Sequence, residues 1–146
     1  MNQPINKLKI GVVSGYFNPL HIGHIEYINA AKDQCDYLIA VVNSDLQVEL
    51  KKSKPFMNQG HRKFIVENLK SVDESIISVD LDKTQCATLK MIRELNLDFE
   101  IYFFNSGDRK VGNLASSESE TCKQNNILEI ILDLPKICSS SELLKL

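Results

Sequence analysis

Ten residues, Gly15-Tyr16-Phe17-Asn18-Pro19-Leu20-His21-Ile22-Gly23-His24, hold the residue types best suited to chemistry in this chain. His21 and His24 are three positions apart, so in the first turn of a helix both imidazoles project from one side. A helix N-terminus carries free N–H groups and the positive end of the helix dipole, and both favour an anion. Gly23, between the rings, lets a bulky ligand approach the backbone. The chemistry this predicts is phosphate binding, with each imidazole donating a hydrogen bond. On its own an H-x-x-H pair is short enough to arise by chance, with one ring capping the helix. A strand, a glycine turn and then the pair opening a helix make a more specific context.

Other polar clusters add to this one. Lys51, Lys52 and Lys54 lie in a basic, proline-containing loop over residues 51–60, which reads either as a solvated surface loop or as a phosphate-binding one. Arg62 follows at the opening of a helix, where a cation gains nothing from the dipole, so an anion ligand and a surface ion pair are both open to it. Gly107, Asp108 and Arg109 read as a turn. Ser139, Ser140 and Ser141 followed by Glu142 form a capping-box pattern whose helix N-terminus can also take an anion.

The elements that position these residues alternate. Strands are expected at 8–14, 37–42, 76–79, 101–104 and 127–132, and helices at 21–32, 61–69 and 87–95, with a further helix from Ser139. In the first helix Ile25 and Ile28 mark the apolar face; in the second, Phe64, Ile65 and Leu69 are expected to point inward. Residues 106–124 read as a polar excursion above the sheet. Alternation of this kind predicts an α/β, Rossmann-like single domain over residues 1–146, with a five-stranded, mainly parallel sheet and helices on both faces. Ligands of such sheets bind outside the carboxyl ends of the strands where strand order reverses, and three polar clusters (16–24, 105–110 and 136–141) fall at strand ends.

Composition narrows the classes. With 146 residues, 17 basic and 19 acidic side chains and a net charge of -2, no global positive field recruits nucleic acid. The longest apolar run, 127–132, contains Glu129 and is too short to span a bilayer. The polar start at 1–9 lacks the apolar stretch of a secretion signal. Cys35, Cys86, Cys122 and Cys138 form no C-x-x-C pair, which argues for reduced thiols in a cytoplasmic protein.

Taken together, these blocks resemble the H-x-G-H nucleotidyltransferase superfamily. The likeness is to its cytidylyltransferase-like members, similar to glycerol-3-phosphate cytidylyltransferase and to the adenylyltransferase domain of heptose-phosphate enzymes. It runs from the signature through Asp36-Tyr37-Leu38, Val42-Asn43-Ser44-Asp45, His61-Arg62-Lys63, Ser71-Val72-Asp73 and Ser106-Gly107-Asp108-Arg109 to Ser139-Ser140-Ser141. The resemblance implies transfer of a nucleoside monophosphate, CMP first, from a triphosphate to a small phosphorylated acceptor, with release of pyrophosphate. By the same resemblance His21, His24 and Lys52 would be catalytic. Gly15, Tyr16, Phe17, Gly23, Gly107, Asp108, Arg109, Ser139, Ser140 and Ser141 would bind nucleotide, and Asn18, Lys51, Lys54 and Arg62 the acceptor. Mg2+ would be held mainly by nucleotide phosphates, with no protein ligand named, and the assembly would be a homodimer without nucleic-acid or membrane partners. Asn18 stands where many cytidylyltransferases have aspartate, and Leu134, Pro135 and Lys136 occupy the region of the family's arginine before the serines. An adenylyltransferase of the heptose-phosphate kind and a catalytically idle nucleotide-binding module therefore stand as alternatives.

Overall fold

The computed structural model describes residues 8–106 and 115–134. Five strands form one sheet: β1 (Lys9–Gly15), β2 (Tyr37–Val42), β3 (Glu74–Ile77), β4 (Glu100–Ser106) and β5 (Ile127–Leu132). Five helices connect them: α1 (Ile22–Lys32), α2 (Asp45–Leu50), α3 (Gln59–Glu67), α4 (Cys86–Leu95) and α5 (Ala115–Gln124). The strand order is β3-β2-β1-β4-β5 and all four pairings are parallel.

Strand side chains alternate between two cores, as the pleat requires. Leu38, Ala40 and Val42 of β2 face one side, where Tyr27, Ile28 and Ala31 of α1 and Val66 of α3 cover them. Ile39 and Val41 face the other, under Leu89 and Ile92 of α4 and Cys122 of α5. Both faces of the central strands are therefore apolar, and burial of those side chains is what drives helices onto both sides.

No element is expected from sequence at residues 45–50, and two expectations need correction. Residues 45–50 form the short helix α2, started by a capping box in which Ser44 Oγ accepts from the Gln47 N–H and Gln47 Oε1 accepts from the Ser44 N–H. The polar excursion over 106–124 contains α5, a helix with few apolar positions of its own. In α3 the inward face belongs to Arg62 and Val66, while Phe64 is 65% exposed and Ile65 37%. Arg62 takes the inward position through its bonds to the Met57, Tyr16 and Asn43 carbonyls and to Asp45, while Leu69 packs on the core as expected. The helix expected from Ser139 lies outside the described residues.

Candidate active site

Strand order reverses between β1 and β4, and the two strands part there. Their pairing stops at Val12↔Phe103, whereas β1 stays paired with β2 to Gly15↔Val42 and β4 with β5 to Ser106↔Leu132. The separated carboxyl ends leave a crevice. Tyr27 of α1 spans it at its root, donating from Oη to the Phe104 carbonyl at 2.6 Å and accepting from the Ser14 N–H at 3.4 Å. Sequence periodicity gave no sign of this bridging role for Tyr27.

The chain leaves β1 at Gly15 and reaches α1 through a turn in which Phe17 adopts the left-handed conformation, φ 49. A bulky residue there is strained, and burial of its ring to 1% exposure offsets that strain. Gly15 makes the arrangement possible, because a Cβ on it would meet the Phe17 ring at 2.9 Å. The ring in turn lies edge-on to His24, centroids 5.0 Å apart.

His21 is the N-cap of α1. Its Nδ1 accepts from the Gly23 N–H at 3.1 Å, and Nδ1 of His24 accepts from the His21 N–H, also at 3.1 Å. The two rings stack with centroids 3.8 Å apart. Histidine here does the work usually given to a serine–glutamate capping box. Since Nδ1 of each ring is an acceptor, the proton of each neutral imidazole sits on Nε2. Burial, then the neighbouring His21 and Lys51, pushes His24 down from 6.5 to about 4, and burial also lowers His21. Near neutral pH the site thus offers two uncharged N–H donors at a helix end with no acidic residue in its first turn.

Lys51 is the loop lysine brought to this pair. Its ammonium lies 4.2 Å from the centroid of the Tyr16 ring, and partial desolvation lowers its pKa. Lys52, favoured from sequence as the acting lysine, is exposed as Lys51 is and takes up φ 61 just past the end of α2. Of the two, Lys51 is the one set against the Tyr16 ring.

Arg62 departs from expectation. It is 1% exposed and spends its guanidinium inside the protein: Nε on the Met57 carbonyl, Nη1 on the Tyr16 and Asn43 carbonyls, and Nη2 on Asp45. A residue so engaged is a strut, not a ligand for a substrate anion. Asn18, expected to touch acceptor, is 5% exposed; its amide donates to the Lys54 carbonyl and accepts from the Phe56 N–H. Gly107, Asp108, Arg109, Lys136 and Ser139 to Ser141 lie outside the described residues.

Among the described residues no three His, Cys, Asp or Glu side chains converge to hold a metal ion. No helix among them is long and apolar enough to cross a membrane.

Comparison with known proteins bears on this site. The family model for cytidylyltransferase-like proteins matches residues 12–143. FAD synthase of Thermococcus sibiricus is 35% identical over 94 residues, 63% of this chain and 61% of that protein. The FAD synthase of Aciduliprofundum boonei is 41% identical over 66 residues, 45% of this chain and 44% of that protein. The bifunctional protein HldE of Blochmanniella floridana is 32% identical over 138 residues, 93% of this chain and 27% of that protein. The matched stretch thus spans between about two fifths and three fifths of the FAD synthases and a smaller part of HldE. A lipopolysaccharide core biosynthesis protein of Thermoplasma volcanium has the same fold, with TM-score 0.69 and 22% identity over 88% of this chain and 99% of that one.

Proposed function

The chain belongs to the cytidylyltransferase-like family, and from that premise we propose that it transfers a nucleoside monophosphate from a triphosphate to a small phosphorylated acceptor, releasing pyrophosphate. One observation carries the reading: two imidazoles with Nδ1 engaged and Nε2–H free stand at an uncompensated helix N-terminus beside the crevice between β1 and β4. In the reaction an acceptor phosphate oxygen attacks the α-phosphorus, a P–O bond forms, and the bond to the leaving pyrophosphate breaks. The reactants repel as anions, so what the protein must supply is alignment and preorganised donors for the charge that develops. Neutral Nε2–H groups do this without first having to gain a proton. Lys51 adds a positive charge, held against the Tyr16 ring. Magnesium, carried on nucleotide oxygens and water, would neutralise further charge on the triphosphate.

ATP is the donor this reading puts first. Sequence resemblance alone ranks CTP ahead, but relatives named FAD synthase have a product that contains an adenine nucleotide. CTP is kept as a second donor because the matching family model is described as cytidylyltransferase-like. Acceptor, homodimeric state and cytoplasmic location belong to the same proposal. The test is pyrophosphate release with magnesium, each of the four triphosphates and a panel of phosphomonoesters that includes flavin mononucleotide and sugar phosphates. Release with one donor–acceptor pair supports the reading. Nucleotide binding by calorimetry without turnover on any pair would instead favour an idle binding module. Sedimentation at micromolar concentration tests the dimer, and a monomer throughout would remove it.

A further inference from the structure

The backbone of residues 54–57 has one peculiarity. Among the described residues it makes no backbone–backbone hydrogen bond, although Lys51, Lys52 and Ser53 just before it are tied to α2. Two buried side chains hold it instead. Asn18 Nδ2 donates to the Lys54 carbonyl at 2.9 Å while its Oδ1 accepts from the Phe56 N–H, and Arg62 Nε donates to the Met57 carbonyl at 2.9 Å. Both side chains also belong to the histidine turn. Asn18 is part of it, and Arg62 Nη1 grips the Tyr16 carbonyl at 2.7 Å. Residues 54–57 are therefore fastened by side chains to the turn that carries His21 and His24, and Arg62 ties the same point to Asn43 just past β2 and to Asp45.

The choice of an amide at position 18 follows from this geometry. The site needs one donor, for the Lys54 carbonyl, and one acceptor, for the Phe56 N–H, on a single short side chain. Asparagine supplies both, whereas an ionised aspartate supplies acceptors only and would set its charge against a carbonyl oxygen. Burial at 5% exposure leaves no water to relieve that mismatch.

We propose that Asn18 and Arg62 are positioning residues that clamp the lysine loop to the histidine turn, so that Lys51 and Lys54 meet the polyphosphate at a set distance from His21 and His24. The clamp is a feature of the fold; its purpose rests on the nucleotidyl-transfer reading. Asn18 and Arg62 act through the lysines and touch no reacting atom.

The experiment has two arms. In the first, intact protein is treated with chymotrypsin and fragments ending at Phe56 and Met57, inside the clamped segment, are timed by mass spectrometry, for the natural protein, N18D and R62K. Breaking the clamp raises the open population of the loop, and cleavage follows it; the expected gain is about 10-fold or more at these two bonds, with cleavage elsewhere unchanged. R62K keeps the charge but loses the planar fork, and is expected to expose the same bonds. If R62K does not fold, N18D decides. In the second arm, turnover of N18D, Lys51→Ala and the double variant is compared. Action through Lys51 predicts that each single change lowers kcat by about 10-fold and that the double change adds less than about 3-fold more. Unchanged cleavage after Phe56 and Met57 in N18D would overturn the clamp. Independent, multiplicative losses in the second arm would overturn its purpose. A natural protein without turnover would count against the nucleotidyl-transfer reading, and with it the purpose, while the first arm still decides the clamp.

Discussion

Two helices of this protein begin in opposite electrostatic states. The first turn of α4 has no acidic residue of its own but is met by carboxylates from outside the helix: Asp80, 5% exposed, accepts from the Ala87 N–H at 2.7 Å, the Thr88 N–H at 2.9 Å and the Thr88 hydroxyl at 2.6 Å. Glu118, 1% exposed, accepts from the Gln85 N–H at 2.9 Å beside it. The N-terminal donors and dipole of α4 are answered from within the protein. The first turn of α1 is capped by two neutral imidazoles, with no carboxylate among the described residues bonded to it, so its positive end is left for something else. Both ends are well hydrogen-bonded, yet only one retains outward donors and an uncompensated field. A satisfied cap stabilises the fold; a cap that satisfies the backbone while keeping a second donor free is also equipped to bind an anion.

Substitutions can sharpen this contrast, and the largest effect is expected at the histidines. His21→Ala or His24→Ala should lower turnover at least ~100-fold, the scale of losing one transition-state donor. His21→Asn separates the two duties of that ring, since an asparagine oxygen still caps the Gly23 N–H. Thermal stability close to that of the natural protein with turnover still down by ~100-fold is the expected result. Recovery of turnover along with the cap would reduce His21 to a structural residue.

At α4 the reverse pattern is expected. Asp80→Ala should cost about 2 kcal/mol in urea denaturation, because two backbone donors and a hydroxyl lose a buried acceptor. Its Kd for nucleoside triphosphate should stay within about 3-fold. A large loss of nucleotide affinity in this variant would erase the distinction between the two helix ends.

Ile22, the first residue of α1 and 55% exposed, allows α1 to be made like α4. Ile22→Glu places a carboxylate where the dipole favours one. It should raise stability by roughly 0.5 kcal/mol while weakening triphosphate binding about 10-fold. Opposite signs for folding and binding are the signature, and weakened folding together with tighter binding would contradict it.

The smallest effect is in pH dependence. The unfolded chain takes up the His24 proton near 6.5 and the folded chain only near 4, so acidification through that window favours the unfolded state. Unfolding free energy should fall by up to about 3 kcal/mol between those limits, and His24→Asn should flatten that part of the curve. An unchanged slope in the variant would mean that His24 is not the buried neutral ring described above.

Most of the framework was legible in the chain, for physical reasons. The apolar runs of β1, β2 and β4 are nearly unbroken because helices cover both faces, and the glycine turn before His21 marks where a strand gives way to a helix. The local cues were weaker elsewhere. Six residues are too few for α2 to show a period, and α5 has too little apolar surface to declare a helix. Arg62 and Asn18 read as polar residues near phosphate chemistry, but apart from Asp45 their partners are backbone atoms up to 46 residues away. No spacing rule reports a bond from a guanidinium to a distant carbonyl. Lys51 was grouped with Lys52 and Lys54 for the same reason, since the choice among three neighbouring lysines depends on where Tyr16 puts its ring.

The most direct test reads the histidine ring nitrogens by heteronuclear NMR, first in the free protein and then during titration with magnesium and ATP or CTP. Both rings should begin neutral with the proton on Nε2, and the Nε2 signals of His21 and His24 should move together as triphosphate binds. A proton on Nδ1 in either free ring, or signals that ignore saturating nucleotide, would contradict the account.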